Sequence, residues 1–498
     1  MNILILSNGA PNYSYFFNEI GQRFVDDGCK IYYAVDCKTS LEENGILETT
    51  HPHELFSDYF ANHQTNAEIL KKYSSHNLNS ALLSDYERAT VYKIWGSRND
   101  AFFTKLKSAL LCFFEEIFIR NSINVVLYEN VSNSFAYYCW FVCQELGVRY
   151  LGLSSCRLPG RFIFSSDPLK DNEIINNTFR RLATGEIQPP NDAIEWCKNY
   201  INKIDEITPD YMRFNNLENT SLSAKYAKTE KIKKVIIGIR HLNDDHYHSY
   251  QRGNPLLLSC QLFSRSLKRT LKLKTLYKLY QEPTPGEKFL LYPLHFHPES
   301  STSILCGTYL NEFETIRNIA FNLPEGLKLY VKDHISAFGL PTLEFYRKLV
   351  SLPNVRLIEP KANTKELIRK SAAVITLTST MGYEALLLGK KVFLYGDVFY
   401  KDHKNVVIIT DPSKLHEILG SSISEETHRV VDPQYNLMFV LAYYLNTFPG
   451  TLNLMLKDKA AKNQVDTLYP LIKDSAFDNL TTPLWAESNI KCNTDLLN

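Results

Sequence analysis

The sequence predicts an α/β protein built from two doubly wound domains, each with a parallel sheet covered by helices on both faces. Two observations favour this fold. Short apolar runs alternate with amphipathic stretches of helical length, first near the amino terminus and again over 288–419. The chain also has 498 residues, more than one hydrophobic core usually serves. Two such domains would face a central cleft and place a ligand crevice at the carboxyl ends of both sheets.

The first domain is predicted from two strand–helix–strand patterns. An apolar run over 3–6 ends at Ser7-Asn8-Gly9-Ala10-Pro11, an amphipathic stretch covers 15–25, and a second strand follows at 30–35. The pattern recurs as a strand at 124–128, a helix at 135–146 and a strand at 148–153. We therefore expect a first doubly wound domain over 1–165, followed by a helical and linker region over 166–234.

The second domain shows the same alternation more clearly. Its predicted strands lie at 288–293, 327–331, 355–358, 373–377, 391–395 and 405–409. Its predicted helices lie at 310–321, 340–351, 364–370, 381–388 and 412–419. This pattern indicates a second doubly wound domain over 235–425, with C-terminal helices and a tail over 426–498.

Composition and charge exclude several classes of protein. The net charge is +1, from 55 basic and 54 acidic residues, so the basic face typical of a nucleic-acid-binding protein is not expected. Ten cysteines without a CxxC pair favour reduced thiols in a reducing compartment. The amino terminus has no basic region, and its apolar run breaks at Ser7, so we expect a cytoplasmic protein.

The stretch 373–392 carries the sharpest motif. A buried strand ends in Thr378-Ser379-Thr380 and a helix begins at once, which offers hydroxyls and free backbone N–H groups to an anion. Glu384, one turn further on, could accept hydrogen bonds from ribose hydroxyls. The alternative is that the hydroxyls only cap the helix.

Two other strands end in candidate donor-binding residues. Lys332 and His334 follow one of them, where the lysine supplies positive charge and the histidine donates to a phosphate oxygen or protonates the leaving group. His295 and Glu299 follow another, in a loop that suits substrate contacts. A metal site at His295, His297 and Glu299 is disfavoured, because no further ligands have matching spacing. No metal is expected.

The first domain contributes one carboxylate and two arginines. Glu129 ends a strand and could act as general base on an acceptor hydroxyl, or as nucleophile in a double displacement. Its alternative role is to cap a helix. Arg157 and Arg161 flank Pro159-Gly160 and suit an acidic group, since guanidinium forks match carboxylates. Surface arginines in a solvated loop are the alternative.

A basic amphipathic helix is predicted over 261–280. No acidic residue lies in this range, and its cations are Arg265, Lys268, Arg269, Lys272, Lys274 and Lys278. Such a helix suits an anionic membrane surface, and we therefore expect peripheral contact with the cytoplasmic face of the inner membrane. A solvated helix packed on its domain is the alternative.

The strings YPLHFHPESST, YVKDH, LPNVRLIEP and TLTSTMGYEALLLGKKVFLYGDVFY resemble the bacterial capsule polysaccharide biosynthesis family that includes the β-Kdo transferases. The resemblance covers 288–410 well and 124–164 moderately. It implies a metal-independent enzyme of the GT-B fold that uses a nucleotide sugar, expected to be CMP-linked, and no other cofactor. In such an enzyme the domain over 235–425 would bind the nucleotide sugar, and the domain over 1–165 would be on the acceptor side. The resemblance also implies that Lys332 and His334 form a phosphate motif, although Ile335 stands where the family often has proline.

These observations lead to one hypothesis and two alternatives. The hypothesis is a glycosyltransferase that moves Kdo or another acidic sugar from a nucleotide sugar to a growing surface polysaccharide or a lipid-linked glycan. A nucleotide-sugar 2-epimerase would share the two-domain architecture but need no acceptor. A non-catalytic glycan-binding or export subunit would bind glycan without cleaving a nucleotide sugar.

Overall fold

The computed structural model describes residues 1–10, 13–46, 49–96, 98–207, 236–242, 244, 247–424 and 432–477. Pro11 of the predicted glycine turn, residues 208–234 of the predicted linker and the tail beyond 477 therefore lie outside the described residues. None of the described helices is long and apolar enough to cross a membrane.

The strands of the first sheet are β1 Asn2–Ser7, β2 Lys30–Val35, β3 His53–Leu55, β4 Val125–Glu129, β5 Arg149–Ser155, β6 Arg161–Ser165 and β13 Phe448–Pro449. They lie in the order β13-β6-β5-β4-β1-β2-β3. Strands β1 to β5 run parallel, whereas β6 pairs antiparallel with β5 and with β13.

The helices around this sheet supply the outer layers of the first unit. Their ranges are Tyr13–Asp26, Lys38–Glu43, Phe56–Asn62, Ala67–Lys72, Leu78–Val91, Asp100–Asn121 and Ser134–Leu146. The helix Ser134–Leu146 is apolar on most sides because it is enclosed by its neighbours, and its first ten residues are all buried.

The second sheet is entirely parallel, in the order β12-β11-β10-β7-β8-β9. Its strands are β7 Phe289–Pro293, β8 Lys328–Lys332, β9 Val355–Ile358, β10 Ala373–Thr376, β11 Lys391–Leu394 and β12 Val406–Ile408. The helices between them are Ser300–Leu305, Glu312–Phe321, Leu343–Val350, Thr364–Lys370 and Thr380–Leu387, and Leu415–Ser424 follows β12.

Both sheets reverse their strand order at a central point, which lies between β1 and β4 in the first and between β7 and β10 in the second. In open parallel sheets, ligands bind beyond the carboxyl ends of the strands at such a reversal. The two doubly wound α/β units predicted from the sequence are thus confirmed. The antiparallel addition of β6 and β13 is an unpredicted feature, because one strand lies far away in the sequence.

The chain crosses between the two units more than once. The helices Asp171–Ala183 and Asn191–Asn202 pack against Pro433–Leu445, and this group shares a hydrophobic core with the second sheet. The last described helix, Asp458–Phe477, instead returns to the first unit and packs against Tyr13–Asp26. Its Val465, Leu468 and Ile472 belong to the first core.

Residues 247–254 cover part of the carboxyl edge of the first sheet. Tyr250 lies in the first core, and its carbonyl accepts a hydrogen bond from the Trp95 indole at 3.0 Å. The Thr39 hydroxyl, just after β2, donates to the Tyr247 carbonyl at 2.7 Å. Arg252 donates to the Gly9 carbonyl after β1. The ends of β1 and β2 are therefore occupied by the protein itself.

Candidate functional site

A cavity of about 630 Å³ lies between the carboxyl ends of the two sheets. From the first unit it is lined by Asn130 after β4 and by Ser154–Arg157 at the end of β5. From the second unit it is lined by Ser300 and Ser301, by Thr378 and Thr380, and by residues 397–400. The cavity therefore meets polar groups from both units where a small ligand could touch both.

The predicted hydroxyl motif lies at the end of β10, beside the strand-order reversal. Thr378 and Thr380 line the cavity, whereas Ser379 does not. The Ser379 hydroxyl accepts a hydrogen bond from the Met381 N–H at 3.2 Å and so caps the helix Thr380–Leu387. The Tyr400 hydroxyl donates to the Ser379 carbonyl at 2.6 Å and fixes the turn from outside. Ser379 therefore caps the helix, whereas Thr378 and Thr380 are the residues of the motif that a ligand in the cavity could contact.

His295 connects β7 to this motif. Its Nε2 accepts a hydrogen bond from the Thr378 N–H at 3.2 Å, and its Nδ1 lies 2.8 Å from Glu312 Oε1. Because Nε2 accepts, the ring proton is on Nδ1 and is donated to Glu312. His295 is buried, and so is Glu312. This histidine holds the turn between β10 and its helix rather than pointing freely into the cavity.

His297 extends the same network to the first unit. Its Nδ1 lies 2.6 Å from Glu87 of the helix Leu78–Val91, and its Nε2 lies 3.3 Å from Glu312. Although burial lowers the pKa of His297, its bonds to Glu312 and Glu87 raise it to about 10. Burial alone would raise the pKa of Glu312, but its histidine partners hold it at about 2. A charged pair therefore joins the two units.

Glu299 takes no part in this network of hydrogen bonds and ion pairs. It is exposed and precedes the helix Ser300–Leu305, to which it offers only its backbone carbonyl, at 3.0 Å from the Thr302 and Ser303 hydroxyls. Since His295 and His297 both face Glu312, their ring nitrogens converge on a carboxylate. Across the described residues, no group of three or more His, Cys, Asp or Glu is arranged to hold a metal ion.

Lys332 is placed at the end of β8 as predicted, but its ammonium group is buried. Its Nζ donates to the Pro360 carbonyl at 2.8 Å, and burial lowers the pKa of Lys332 to about 8. The neighbouring Asp333 accepts from the Tyr280 hydroxyl at 2.6 Å, and burial raises its pKa to about 6. In this conformation the lysine fixes the loop after β9.

His334 is a neutral imidazole in this structure. Its Nδ1 accepts a hydrogen bond from the Ser336 N–H at 3.1 Å, which leaves the ring proton on Nε2. Burial lowers the pKa of His334 to about 4, and the nearby positive charge of Lys332 acts in the same direction. Its ring centroid is 6.2 Å from that of Phe296 in the loop after β7. The ring is thus able to donate one hydrogen bond at neutral pH.

Glu384 lies one turn into the helix that follows the hydroxyl motif and pairs with a cation. Lys365 Nζ is 2.7 Å from its carboxylate, and both side chains are largely buried. Glu384 also lies close enough to Lys332 to raise the pKa of that lysine against the effect of burial. The structure therefore gathers Lys332, Lys365 and Glu384 beside the end of β10.

Glu129 ends β4 and lines a smaller cavity of about 200 Å³, which shares Asn130, Ser154 and Ser155 with the larger one. Burial raises the pKa of Glu129, while hydrogen bonds from the Ser132 and Tyr13 hydroxyls oppose the rise. A carboxylate with a raised pKa beside a cleft has the properties of a general base. Tyr13 is the contact that sequence reasoning missed here.

The two predicted arginines have different surroundings. Arg157 lines the large cavity, and its backbone N–H donates to the Tyr443 hydroxyl at 3.0 Å. Arg161 donates to the Thr447 carbonyl at 2.7 Å, and its guanidinium lies 3.8 Å from the centroid of the Tyr444 ring. Arg161 therefore ties β6 to the end of the helix Pro433–Leu445, and only Arg157 is among the residues lining the cavity.

The structure thus brings Asn130, Arg157, Thr378 and Thr380 to one cavity, with Glu129 adjacent. His295, His334, Lys332 and Glu384 are not among the residues that line it. The residues that sequence reasoning missed are Tyr13, Glu312, Glu87, Lys365, Ser300 and Ser301. The YPLHFHPESST string contained the last two, and their position after β7 was the signal that could have found them.

Comparison with known proteins gives a family and several distant folds. Residues 188–421 match the family model described as capsule polysaccharide biosynthesis protein. Among solved structures, the Thermosulfurimonas dismutans KpsC beta Kdo 2,4 transferase is 15% identical, and the match covers 66% of this chain and 85% of that one, with a TM-score of 0.30. The beta Kdo 2,7 transferase of the same protein is 12% identical over 71% and 88%, with a TM-score of 0.33.

A further structural match is the UDP-GlcNAc 2-epimerase from Neisseria meningitidis bound to UDP-GlcNAc. It is 11% identical over 94% of this chain and 100% of that one, with a TM-score of 0.24. No curated protein sequence matches the chain significantly. The resemblance expected from the sequence motifs is confirmed by the family model, which matches residues 188–421.

Proposed function

We propose that this protein is a glycosyltransferase that moves a sugar from a nucleotide sugar to a growing surface polysaccharide or glycolipid. The observation that carries the proposal is the 630 Å³ cavity, which polar residues from the carboxyl ends of both sheets line together. The donor in this proposal is CMP-linked Kdo or another acidic sugar. The proposal follows the family resemblance in including no metal and no further cofactor.

In this proposal the second unit holds the donor. The phosphate would lie at the start of the helix Thr380–Leu387, where Thr378 and Thr380 reach the cavity and the helix dipole favours negative charge. The neutral His334 would donate its Nε2 proton to the phosphate. Lys332 and Glu384 would exchange their present bonds, to the Pro360 carbonyl and to Lys365, for the phosphate and the ribose.

The first unit would hold and activate the acceptor. Glu129 has a raised pKa and two hydroxyl contacts, which suit removal of a proton from an acceptor hydroxyl. Arg157 would bind an acidic group of the donor or acceptor, because its place on the cavity wall allows a carboxylate to approach. His295 would act indirectly, by holding the turn at Thr378 in place. Arg161 would also act indirectly, by holding β6 in place.

The place of action is part of the same proposal. A lipid-linked acceptor requires the enzyme to work at a membrane surface, and we propose peripheral contact with the cytoplasmic face of the inner membrane through residues 261–280. The lysines of that range are exposed at positions 268, 274 and 278. This contact would bring the cleft to the acceptor without a spanning helix.

The first test is a thermal-shift screen of the pure protein against CMP, UDP, GDP and their sugars. A ligand that binds only the native state raises the unfolding midpoint by mass action. We expect stabilisation by CMP and its reduction by Thr380→Val. Stabilisation by UDP or GDP instead would discard the CMP-linked donor, and no response to any nucleotide would contradict the proposed function.

Product analysis separates transfer from epimerisation. Incubation with the stabilising nucleotide sugar and a glycan acceptor should give free nucleotide and an extended glycan. An epimerised nucleotide sugar formed without acceptor would replace the proposal with a 2-epimerase.

A further inference from the structure

The helix Pro255–Tyr277 carries its apolar residues on the outside. Leu257 is 59% exposed, Phe263 46%, Leu267 39% and Leu271 72%. Phe263, Leu267 and Leu271 recur at intervals of four and, together with Leu257, fall within about a third of the helix circumference, so they form one stripe on its outer face. We name this set, Leu257, Phe263, Leu267 and Leu271, the outer stripe. An amphipathic helix packed on its domain would have such a stripe facing inward.

The inward face of the same helix is basic. Arg265 donates to the Tyr92 hydroxyl at 3.1 Å and to the His297 carbonyl at 2.9 Å. The buried Arg269 stacks its guanidinium 4.5 Å from the centroid of the Phe338 ring. Lys272 donates to the Pro341 carbonyl, and burial lowers its pKa to about 8. Three cations therefore lie on the protein side of the helix, and the exposed apolar residues lie on the opposite side.

Three further lysines accompany the outer stripe. Lys268, Lys274 and Lys278 are all exposed, and the helix contains no Asp or Glu. The outward surface thus combines apolar side chains with positive charge alone. Long lysine side chains beside an apolar stripe can bury their stems and keep their ammonium groups in a polar layer.

We propose that the outer stripe, together with Lys268, Lys274 and Lys278, binds an anionic lipid bilayer, with the helix lying flat in the interface. Charge complementarity selects this occupant. A second copy of the chain would bring the same lysines against one another, whereas acidic headgroups would pair with them. The inference rests on the membrane contact of the proposed function and deepens it by naming the lipid charge and the side chains that meet the bilayer. The cavity and the donor play no part in it.

Because of the position of the helix, a bilayer bound to it would affect both units. Gly253, just before the helix, packs on Ile94 of the first unit, and Leu276 near its end lies in the core of the second. At about 1.5 Å per residue the helix is roughly 34 Å long, so it spans both units. A bilayer bound along it would therefore hold both units at the surface, with the helix axis parallel to the membrane.

The test is co-sedimentation of the full-length protein with vesicles. We expect binding to phosphatidylcholine vesicles that contain about one third phosphatidylglycerol, and weak binding to phosphatidylcholine alone. The double variant Leu267→Ser/Leu271→Ser should reduce partitioning about tenfold or more, because two apolar side chains no longer enter the interface. The triple variant Lys268→Gln/Lys274→Gln/Lys278→Gln should lose about a hundredfold on the anionic vesicles.

The matched control is Ile119→Ser/Phe321→Ser, which removes two exposed apolar residues from other surfaces, 65% and 70% exposed. It should bind vesicles as the wild type does. Absence of wild-type binding, or unchanged binding of the leucine variant, would overturn the proposal. So would a wild-type dimer that dissociates in the leucine variant, because a second copy would then cover the stripe. The nucleotide thermal shift of the same variants reports separately on the proposed sugar transfer.

Discussion

The position of the single proton on the His295 ring determines how the turn before the helix Thr380–Leu387 is held. With Nε2 accepting from the Thr378 N–H and Nδ1 donating to Glu312, both ring nitrogens are used inside the protein. Alanine at this position would leave a buried carboxylate and a buried N–H without that partner. We expect His295→Ala to lower the free energy of unfolding by about 2–4 kcal/mol in urea titrations.

Glutamine supplies the control for this position, because its amide can donate and accept at once. His295→Gln should recover part of the lost stability and part of the nucleotide thermal shift. If His295→Ala unfolds at the same urea concentration as the wild type, the hydrogen bonds of His295 contribute nothing and its positioning role fails.

His334 is the residue on which the proposed chemistry most depends. It is neutral at pH 7 because burial lowers its pKa to about 4, so it can donate through Nε2 but carries no charge before the donor binds. His334→Ala should lower turnover by about 100-fold to 10,000-fold while the fold persists. His416→Ala is the control, since that histidine is exposed and contacts the Asn322 carbonyl. Near-normal turnover of His334→Ala would contradict its assigned role.

The sequence predicts which residues lie at strand ends, but not which partners their side chains find. Lys332 and Arg161 are examples. Lys332 lies at the end of a strand as expected, and its ammonium group bonds the Pro360 carbonyl. Arg161 is expected in a loop but begins β6, and it bonds the Thr447 carbonyl far along the chain. Local patterns predict backbone position through periodicity, whereas long-range partners depend on how the units fold against each other. The roles assigned to these side chains from the motifs therefore stay predictions.

At the scale of the element, the helix Thr380–Leu387 separates stability from ligand binding. Ser379 caps the helix and does not line the cavity, whereas Thr380 does. Ser379→Ala should cost about 1 kcal/mol of unfolding free energy through the lost cap. Thr380→Val should cost little stability but reduce the nucleotide-induced rise in midpoint.

Thr342→Ala provides the matched control, because Thr342 caps the helix Leu343–Val350 away from the cavity. It should match Ser379→Ala in stability and leave the nucleotide response intact. A normal nucleotide response in Thr380→Val would show that its hydroxyl does not contact the donor.

The helix Pro255–Tyr277 shows what periodicity leaves open. The alternation of basic and apolar residues predicts a helix with two faces, and the structure contains that helix. The pattern does not say which face turns inward. Here Arg269 and Lys272 can bury their long stems and still reach a ring or a carbonyl, so the basic face packs against the protein.

At the scale of the whole molecule, the ion pairs of His297 join the two units. The folded pKa of His297, about 10, lies above its ordinary value of about 6.5. The stabilisation is therefore fully present below about pH 6.5 and is lost as the pH rises toward 10. We expect Glu87→Gln to lose less stability than the wild type between pH 7 and 10, with a difference of about 2 kcal/mol in chemical denaturation.

Glu344→Gln is the control for this comparison, because Glu344 forms an exposed pair with Lys348 on one helix. Its dependence on pH should match that of the wild type. Equal loss of stability in Glu87→Gln and wild type would mean that the inter-unit pair does not set the titration of His297.

The doubly wound architecture is predictable from the sequence because most of the parallel strands and their helices are local patterns; the short β3, His53–Leu55, is the parallel strand that is not predicted. Strands such as β9, Val355–Ile358, coincide with the predicted range. The pairing of β13 with β6 and the return of the helix Asp458–Phe477 to the first unit cannot be predicted from local patterns. They join residues hundreds of positions apart, and a single sequence gives no sign of such contacts.

That returning helix constrains how the protein can be made. A ribosome releases the amino-terminal unit first, yet Leu468 and Ile472 complete its core only when almost the whole chain has emerged. Until then the helix Tyr13–Asp26 does not have the helix Asp458–Phe477 packed against it. Nascent chains with exposed apolar surface are prone to aggregate. Synthesis therefore cannot finish one unit before starting the next, and a chain shortened ahead of Asp458 would carry an unfinished first unit however well its second unit folds.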